Sequence, residues 1–558
     1  MFKKRSTGTC HRYHQDNDSR IFMIDNYLSA WLSVFNFNFF KMIFRKIIIA
    51  LLLCMPAFFT AGQPITSSQI DALVEKTRKI FDVPGIAVAI VKDGKVIHEK
   101  GYGVRSLATG EKVDEHTRFG IASNSKAFTA AALGMLIDEG KMKWTDRVTD
   151  FIPGFKMYDP YVTAHFTVAD LLTHRSGLGL GAGDLMIWPD SSNFSKEDII
   201  HNLRFLKPVS DFRTKYDYDN LLYVVAGEVV AKVSGMPWEE FIEQKIMKPL
   251  QMSESAASIS RLKNHQNVID PHAPVNGKLQ VIDIDWSETA NAAGGIYSSV
   301  HDMSKWAMMQ LNDGKYNGNK RLFSEAVHND MWSPHTILPL SRYNPYNSHF
   351  AVYGFGWRMT DEKGYKVVSH TGGLAGIVTQ VTLIPELKMA IIVFTNQQSG
   401  AAFTAITNTI KDSYFGMTAT DRVKEYNDRV LAAAGNAANI TDAVWKQVET
   451  QKKIVTPDEL KQYTGSYNDP WFGEVSIYQE NNRLYFQSKN SPRLRGEIMP
   501  YKANTFVVKW DNRSMDADAF MLFGFDFDGR PSTIKMKPIS PLTDFSFDFQ
   551  DLSFERIN

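Results

Sequence analysis

Apolar runs mark the two ends of one long segment of the chain. Residues 86–91 are uniformly apolar, as in a strand buried on both faces, and a second strand is predicted over 96–102 after the turn at Asp93-Gly94. Three more strands are predicted towards residue 400, over 366–369, 378–384 and 389–394. Helical patterns lie between the two groups, so we predict an α+β domain over residues 66–416. Its sheet would join the two ends of the segment.

The clearest helix of this segment is predicted over residues 123–139. The stretch is rich in alanine, a strong helix former, and Gly140 follows it as a stop signal. A second helix is predicted over residues 221–230, and its composition is apolar enough for burial.

The remainder of the chain has a different pattern. Residues 417–455 are polar and helical in composition, which is typical of a connector. After it, short strands alternate with turns such as Asn481-Asn482 and Asp528-Gly529. These strands are predicted over 474–478, 483–487, 505–510 and 521–525. We predict an all-β barrel or sandwich over residues 456–558.

Length and charge limit the classes of function. A chain of 558 residues is too long for one ordinary core, so two or more domains are expected. Lys and Arg number 62 against 61 Asp and Glu, a formal net charge of +1, so nothing favours nucleic acid or an anionic membrane surface as a partner. No feature of the sequence indicates an oligomeric state.

The N-terminal region has the features of an export signal. A basic start at residues 42–46 precedes an apolar run to residue 59 and small residues over 60–63. We predict a signal peptide over 42–62 and export to a bacterial periplasm or cell envelope. A retained membrane anchor is the alternative, but the run is short and Pro56 interrupts it, so we expect cleavage and no membrane span afterwards.

Residues 1–41 do not fit this picture, because a signal peptide should be terminal. We therefore expect Met42 to be the true start and residues 1–41 to be a non-native extension. Both cysteines, Cys10 and Cys54, precede the predicted cleavage site. The mature protein would then contain no thiol and no disulfide.

A first candidate site is Ser123-Asn124-Ser125-Lys126 at the start of the predicted helix. Three-residue spacing on a helix puts Ser123 and Lys126 on one face, and a serine hydroxyl needs a neighbouring base to become a nucleophile. Free backbone N–H groups at a helix start would stabilise an oxyanion. The alternative is a serine cap followed by a solvated lysine. Two similar patterns, at 260–263 and 532–535, lack this setting.

A second candidate site is Tyr218-Asp219-Asn220, just before the second helix. A phenol acts as a base only where neighbouring cations lower its pKa, and Lys126 could do so. The amide of Asn220 offers a donor and an acceptor, enough to hold Lys126 and a substrate amide. Taken alone, a loop tyrosine ahead of an ordinary helix is the simpler interpretation.

The third candidate is His370-Thr371-Gly372, followed by Gly373, after the strand at 366–369. Glycines allow a backbone to approach a substrate closely and leave its N–H groups accessible. A strand-end histidine with a structural hydrogen bond is the alternative for His370.

The three motifs, in this order, resemble those of the serine β-lactamase and penicillin-binding protein superfamily, in its class C β-lactamase, DD-peptidase and esterase branch. Four further stretches are similar to that family: 171–178, 293–299, 353–357 and 394–396. Residues 456–558 are similar to a lipocalin-like domain of unknown function. The aromatic residues Trp471, Phe472, Tyr478 and Trp510 are expected in the barrel core, although the loop 469–472 could instead reach the catalytic cleft.

The resemblance implies a β-lactamase/transpeptidase-like fold, an antiparallel sheet flanked by helices, and a serine hydrolase. It implies that Ser123 attacks a carbonyl and that Tyr218, with Lys126, moves the proton. The backbone N–H groups of Ser123 and Gly373 would hold the oxyanion. Substrate would be positioned by the remaining motif residues: Asn220, His370, Thr371 and Gly372. No metal and no cofactor would be required.

The substrate implied is a small molecule or peptide: a D-amino-acid peptide, as for a DD-carboxypeptidase or aminopeptidase, or a small ester. Many β-lactamases carry lysine where this chain has His370, and a permanent cation suits a β-lactam carboxylate better than a mostly neutral imidazole. A β-lactamase remains one alternative, and a non-catalytic penicillin-binding sensor of the cell envelope is another. The glycine-rich stretch 177–183 lacks the lysine of a phosphate-binding loop and is predicted to form a rim loop.

Overall fold

A computed structural model of the protein describes residues 64–417, 420–452 and 454–557. The predicted extension over residues 1–41 and the predicted signal peptide over residues 42–62 lie outside the described residues.

An antiparallel sheet organises the first part of the structure. In chain order, the strands of this part are β1 Gly85–Lys92, β2 Lys95–Gly103, β3 Phe119–Gly120, β4 His272–Val275, β5 Lys278–Val281, β6 Tyr297–Ser298, β7 Lys315–Tyr316, β8 Lys320–Arg321, β9 Thr336–Ile337, β10 Ala351–Tyr353, β11 Arg358–Glu362, β12 Tyr365–Leu374, β13 Ile377–Ile384 and β14 Met389–Thr395. Within residues 64–417, eight of them form one sheet in the order β2-β1-β14-β13-β12-β11-β10-β9.

Strand β1 lies beside β14, with Ile90 opposite Ile391, so the sheet joins the two ends of the segment as predicted. Both faces of β1 are covered. Ala87 and Ala89 belong to the core on one face, whereas Val88 and its alternating neighbours belong to the core on the other face. A strand buried on both faces needs apolar residues at every position, which explains the uninterrupted apolar run.

Helices cover both faces of the sheet. In chain order they are α1 Ser67–Ile80, α2 Lys126–Asp138, α3 Val148–Phe151, α4 Pro160–His165, α5 Val168–Leu172, α6 Lys196–Asn202, α7 Leu221–Ser234, α8 Trp238–Phe241, α9 Asn291–Gly294, α10 Val300–Leu311, α11 Glu325–Met331 and α12 Gly400–Tyr414. Helices α1 and α12 contribute to the core on one face. Helices α2, α7 and α10 contribute to the core on the other face, where the candidate site lies.

Helix α2 begins later than predicted. Residues Ala122–Ser125 form a short 3₁₀ turn, and the α-helix proper starts at Lys126. Most of α2 is buried, including Phe128 and Leu133, so its alanine-rich composition allows close packing against α7.

The C-terminal part is a closed barrel. Its strands are β15 Gly465–Asp469, β16 Gly473–Glu480, β17 Arg483–Ser488, β18 Arg495–Lys502, β19 Thr505–Trp510, β20 Ala519–Phe525, β21 Pro531–Pro538 and β22 Ser553–Arg556. Aromatic side chains fill its interior, among them Tyr467, Phe486, Phe506, Trp510, Phe523 and Phe554. The predicted all-β module is therefore confirmed, and its barrel has a packed core.

Burial distinguishes the four aromatic residues that were expected in the barrel core. Trp471, Phe472 and Trp510 are buried, but Tyr478 is only half-buried. The Tyr478 hydroxyl accepts a hydrogen bond from Arg495 Nε at 2.9 Å. Strand β16 alternates, and Tyr478 follows the buried Ile477, so the tyrosine lies on the outer face.

Two further helices lie in the described residues after 420: α13 Arg422–Gln451 and α14 Pro457–Leu460. Helix α13 connects the two parts, since Val423 packs into the core beneath the sheet while Val444 and Val448 pack against the barrel. In the residues that the structure describes, no helix has both the length and the apolar character needed to cross a membrane.

The barrel packs directly on the first part of the structure. The loop 469–472 contacts α6 and the residues before it: Asn202 Nδ2 donates to the Trp471 carbonyl at 2.8 Å, and the Phe472 ring lies beside Phe194. This loop therefore serves the interface between the two parts and does not line the main cleft. The alternative that placed it in the cleft is wrong, and other barrel segments reach that position.

Candidate active site

The predicted site residues meet at one cleft of about 660 Å³. Seven of them line it: Ser123, Tyr218, Asn220, His370, Thr371, Gly372 and Gly373. Lys126 is fully buried beneath Ser123. Residues that are distant in sequence are thus brought together by α2, by the start of α7 and by the C-terminal end of β12.

Ser123 lies on a strained turn at the entrance to α2. Ala122, immediately before it, is buried and has φ of 49°, a left-handed conformation that is uncommon for alanine. Asn124 Nδ2 donates to Thr379 Oγ1 on β13 at 2.9 Å, and that hydroxyl donates to the Ile121 carbonyl at 2.9 Å. These bonds fix the turn to the sheet and leave Ser123 half-buried, facing the cleft.

Lys126 Nζ lies among three oxygen atoms. It is 3.1 Å from Ser123 Oγ, 2.7 Å from Asn220 Oδ1 and 2.8 Å from the Ala293 carbonyl. The last two oxygens can only accept. A neutral amine has two N–H bonds and one lone pair, so donating to those two acceptors directs the lone pair towards Ser123.

Burial lowers the pKa of Lys126 to about 7, although the nearby carboxyl groups of Asp184 and Asp219 oppose this shift. Desolvation disfavours the charged ammonium, and the side chain is 0% exposed. The amine is therefore poised to gain and lose a proton close to neutral pH, which suits a general base.

Tyr218 lies over the same amine, with its ring centroid 4.8 Å from Lys126 Nζ. Its hydroxyl is buried and lies close to Ser123. Burial raises the pKa of Tyr218 well above its usual value, although interaction with Ser123 opposes this. The phenol therefore stays protonated. Lys126, rather than Tyr218, is the group whose pKa is lowered.

Asn220 is held at both ends of its amide. Its Oδ1 accepts from Lys126, and its Nδ2 donates to Asp184 Oδ2 at 2.7 Å. The sequence suggested that this amide would bridge Lys126 and the substrate. In the structure its second partner is a buried carboxyl group of the protein.

His370 is also committed to partners within the protein. Its Nδ1 donates to the Thr371 carbonyl at 2.7 Å, so Nε2 accepts from the Tyr353 hydroxyl at 2.9 Å. Burial lowers the pKa of His370 to about 3, with the nearby Lys126 as a second cause. The imidazole is therefore neutral at physiological pH and provides no cation for a substrate.

The two glycines after Thr371 have different surroundings. A Cβ atom at Gly372 would lie 2.2 Å from the Ile121 carbonyl oxygen, which no side chain can do. A Cβ atom at Gly373 would meet nothing within 4 Å. Gly372 lets β12 pack directly on the turn that carries Ser123, whereas Gly373 borders open space in the cleft.

His174 and Ser176, which the resemblance places in a structural segment, lie behind Tyr218. The His174 ring packs 4.3 Å from that of Tyr218, and its Nδ1 accepts from the Asp219 amide at 3.1 Å. Ser176 Oγ donates to Asp219 Oδ2 at 3.2 Å. These contacts support the 218–220 motif from the side opposite the cleft.

A model of one protein family, described as Beta-lactamase, matches residues 70–413. The chain belongs to the beta-lactamase family. Residues 449–556 match a second family, described as a domain of unknown function (DUF3471). The match to the first family includes all three motifs, and the match to the second includes the closed barrel.

Curated relatives have low sequence identity to this chain but match it over long stretches. An unguisins hydrolase, ungD', of Aspergillus campestris is 26% identical over 494 residues, which is 85% of this chain and 90% of the relative. A second unguisins hydrolase, ungD of Aspergillus violaceofuscus, is 26% identical and matches 72% of this chain and 75% of its own. Protein flp of Staphylococcus aureus is 26% identical over 60% of this chain and 64% of its own.

Two solved structures share the fold. The octameric penicillin-binding protein homologue from Pyrococcus abyssi superposes with a TM-score of 0.57 at 22% identity, over 88% of this chain and all of that chain. SurE superposes with a TM-score of 0.53 at 17% identity, over 88% of this chain and 99% of its own. The first confirms a β-lactamase-like fold for this chain.

The cleft is also lined by residues that the three motifs did not indicate. Barrel segments 514–516 and 544–547 form one wall of the cleft, together with Leu542. The described lining contains three carboxyl groups and Arg358 as its one lysine or arginine: the acidic residues are Asp285, Asp516 and Asp544. Burial raises the pKa of Asp285 to about 6.

The similar patterns elsewhere in the chain lie away from the cleft. Ser260 is exposed, and its hydroxyl donates to Glu288 Oε2 at 2.8 Å, while Ser532 lies on barrel strand β21. Among the described residues, no three His, Cys, Asp or Glu side chains are arranged to hold a metal ion.

Proposed function

We propose that this protein is an exported serine hydrolase in which Ser123 forms an acyl-enzyme. The proposed substrate is an amide of a D-amino-acid peptide or a small ester. One observation carries the proposal: the buried amine of Lys126, with its pKa lowered to about 7, lies 3.1 Å from Ser123 Oγ. Burying an amine costs free energy of folding, and its position beside the serine hydroxyl suits it to accept the serine proton.

Acylation would proceed as follows. Ser123 Oγ attacks the substrate carbonyl carbon while its proton passes to Lys126 Nζ. The negative charge that develops on the carbonyl oxygen is held by the backbone N–H groups of Ser123 and Gly373. The neutral Tyr218 hydroxyl donates its proton to the leaving nitrogen or oxygen, and Lys126 returns a proton to Tyr218. The C–N or C–O bond then breaks, leaving an ester on Ser123.

Deacylation would reverse the proton path. A water molecule attacks the acyl carbon and gives a proton to Lys126, and Ser123 Oγ leaves as it takes that proton back. The products are a carboxylic acid and the free enzyme. This scheme assigns the first proton transfer to Lys126 and the second to Tyr218, because the phenol is neutral and the amine has the lowered pKa.

Several observations support a peptide or an ester over a β-lactam. His370 is neutral and has no free nitrogen for a substrate carboxylate. The cleft lining carries three carboxyl groups against Arg358, which favours a substrate with an amine over one that is strongly anionic. The names of two relatives, unguisins hydrolases, also support hydrolysis as the reaction class.

A panel of chromogenic substrates tests the proposed function. D-alanine p-nitroanilide, p-nitrophenyl acetate and a cephalosporin would be assayed with the native protein, Ser123→Ala and Ser260→Ala. We expect hydrolysis of the anilide or the acetate, its loss in Ser123→Ala and its retention in Ser260→Ala. Hydrolysis that survives Ser123→Ala would refute the proposal, and rapid turnover of the cephalosporin alone would assign the protein to the β-lactamases.

Export is proposed from the leader pattern at residues 42–62. Expression in a bacterial host, followed by N-terminal sequencing of the protein in the periplasmic fraction, tests it. We expect a new N-terminus close to Gln63. A precursor that carries residues 1–41 would contradict the start at Met42.

A further inference from the structure

The amide of Asn220 must have one particular orientation for Lys126 to act. Its oxygen faces the amine of Lys126 at 2.7 Å. If the amide were rotated by half a turn, its NH₂ group would face the amine instead, and an acceptor would be lost. Asp184 determines the choice, because its Oδ2 accepts from Asn220 Nδ2. An acceptor at that position keeps the amide oxygen directed at Lys126.

Asp184 is itself held by the barrel. Ser546 Oγ donates to Asp184 Oδ2 at 2.8 Å across 362 residues of sequence. Asp548 accepts from the amides on either side of Asp184, from Gly183 at 2.6 Å and from Leu185 at 3.1 Å. All of these hydrogen bonds are buried. Each is therefore formed without competition from solvent and is costly to lose.

This arrangement is independent of the protonation of Asp184. Burial raises the pKa of Asp184 to about 8, and burial together with the charge of Asp184 raises the pKa of Asp548. A carboxyl group that holds its proton on Oδ1 still accepts at Oδ2. The bonds from Asn220 and Ser546 therefore persist on both sides of neutral pH.

We propose that the C-terminal barrel positions the catalytic amine, with Ser546 and Asp548 fixing Asp184, which orients Asn220 and thereby Lys126. Ser546, Asp548 and Asp184 are positioning residues, since none of them touches the reacting atoms. The inference rests on the proposed function of Ser123 and Lys126. It gives the barrel a part in catalysis that no motif in the chain assigns to it.

Time-resolved labelling with a fluorophosphonate probe, followed by intact mass, tests the inference on the full-length mature protein. The probe gives a maximal labelling rate, kinact, and an apparent binding constant, KI. We expect Ser546→Ala to lower kinact by about tenfold, the effect of losing one buried hydrogen bond, and to leave KI unchanged. Ser546→Thr keeps the hydroxyl and should restore kinact.

Ser532→Ala is the matched control. Ser532 lies on barrel strand β21 outside the cleft lining, and its hydroxyl donates to the Gly524 carbonyl and not to Asp184. We expect this variant to label like the native protein. If Ser546→Ala does not fold, Ser546→Cys keeps the volume with a much weaker donor and should show the same loss in kinact.

A double variant shows whether Ser546 acts through Asp184. We expect Asp184→Ala to lower kinact, and Ser546→Ala to add less than twofold in that background, because coupled residues are not additive. If the native protein labels and Ser546→Ala has the same kinact, the inference is overturned while the proposed function stands. The same holds if Ser546→Ala lowers kinact by a further tenfold in the Asp184→Ala background. A native protein that does not label at all would overturn the proposed function instead.

Discussion

At the scale of residues, the amine of Lys126 has the most unusual surroundings in the site. Three oxygen atoms lie within 3.1 Å of Nζ, and two aromatic rings, those of Tyr218 and Tyr223, lie about 5 Å away. None of its surface is exposed. These contacts favour the charged ammonium, but burial disfavours it more, and the balance sets the pH range in which Lys126 can act as a base.

The first prediction concerns that range. Only the neutral amine accepts a proton, so activity should rise as pH increases through the pKa of Lys126, at about 7, and fall below it. We therefore expect kcat/KM for an ester to have an acidic limb close to pH 7, well below the ordinary lysine value of about 10.4. A profile measured from pH 5 to 10 checks this, and a limb above pH 9 would contradict it.

The proximity of the residues within each motif could be predicted from sequence, because short spacings determine their relative positions. Ser123 and Lys126 are one helical turn apart, and Tyr218 precedes Asn220 on one loop. Two of their hydrogen-bond partners could not be predicted: Asp184 lies in no local pattern that singles it out, and the stretch 353–357 does not indicate that Tyr353 contacts His370. The contact of Asn220 with Lys126 was expected from sequence, whereas its bond to Asp184 and the protein partners of both His370 nitrogens depend on the tertiary structure.

At the scale of elements, the contact between β12 and the turn before α2 decides the shape of the site. Gly372 sits where the two elements touch, and Gly373 sits one residue further, over the cleft. An added methyl group at Gly372 would overlap the protein and affect folding, whereas one at Gly373 would occupy the cleft and affect substrate binding.

The second prediction uses this pair. Gly372→Ala should lower the free energy of unfolding by about 1–3 kcal/mol, since its Cβ would overlap the Ile121 carbonyl. Gly373→Ala should keep native stability but lose activity, because its Cβ points into space that the substrate needs. Urea unfolding and kcat/KM measured on both variants check this. Equal loss of stability in both would contradict the assignment of open space to Gly373.

The elements themselves were largely predictable. Uninterrupted apolar runs predicted β1 and β14, and the alanine-rich stretch predicted α2 apart from its first turn. The 3₁₀ turn at Ala122–Ser125 escaped prediction because tertiary bonds to Thr379 hold it. Tyr478 was misplaced because aromatic residues suit either face of a strand, and only register decides which.

At the scale of the whole molecule, the barrel forms a wall of the cleft. The Phe545 ring packs edge-on against that of Tyr218, with centroids 5.8 Å apart. The Phe545 carbonyl also approaches the glycine-rich stretch 177–183, where a Cβ at Gly181 would lie 2.7 Å from it. The barrel therefore packs against the predicted rim loop. Phe545 occupies part of the space beside Tyr218 and narrows the cleft there.

The third prediction follows from that packing. Phe545→Ala should widen the cleft, so kcat/KM for a bulky acyl ester should rise relative to that for an acetate by about tenfold. Phe527→Ala is the control, because Phe527 is fully exposed on the barrel and does not line the cleft. An unchanged ratio of the two substrates in Phe545→Ala would show that the barrel does not limit substrate size.

The packing of the barrel against the cleft could not be predicted from the sequence. Composition predicted a separate all-β module, but the bond from Ser546 to Asp184 joins residues 362 apart. The prediction that the loop 469–472 could reach the cleft is wrong, because Trp471 and Phe472 contact α6 and the residues before it. Which loops of a module face a partner depends on the orientation of the whole barrel.

The most direct test of this account is the covalent labelling of Ser123. Protein beginning at Gln63 would be incubated with a fluorophosphonate, and the adduct would be located by intact mass and peptide mapping. We expect one adduct on Ser123 in the native protein and in Ser260→Ala, and none in Ser123→Ala. An adduct that persists in Ser123→Ala, or a native protein that stays unlabelled, would contradict the claim that Lys126 activates Ser123.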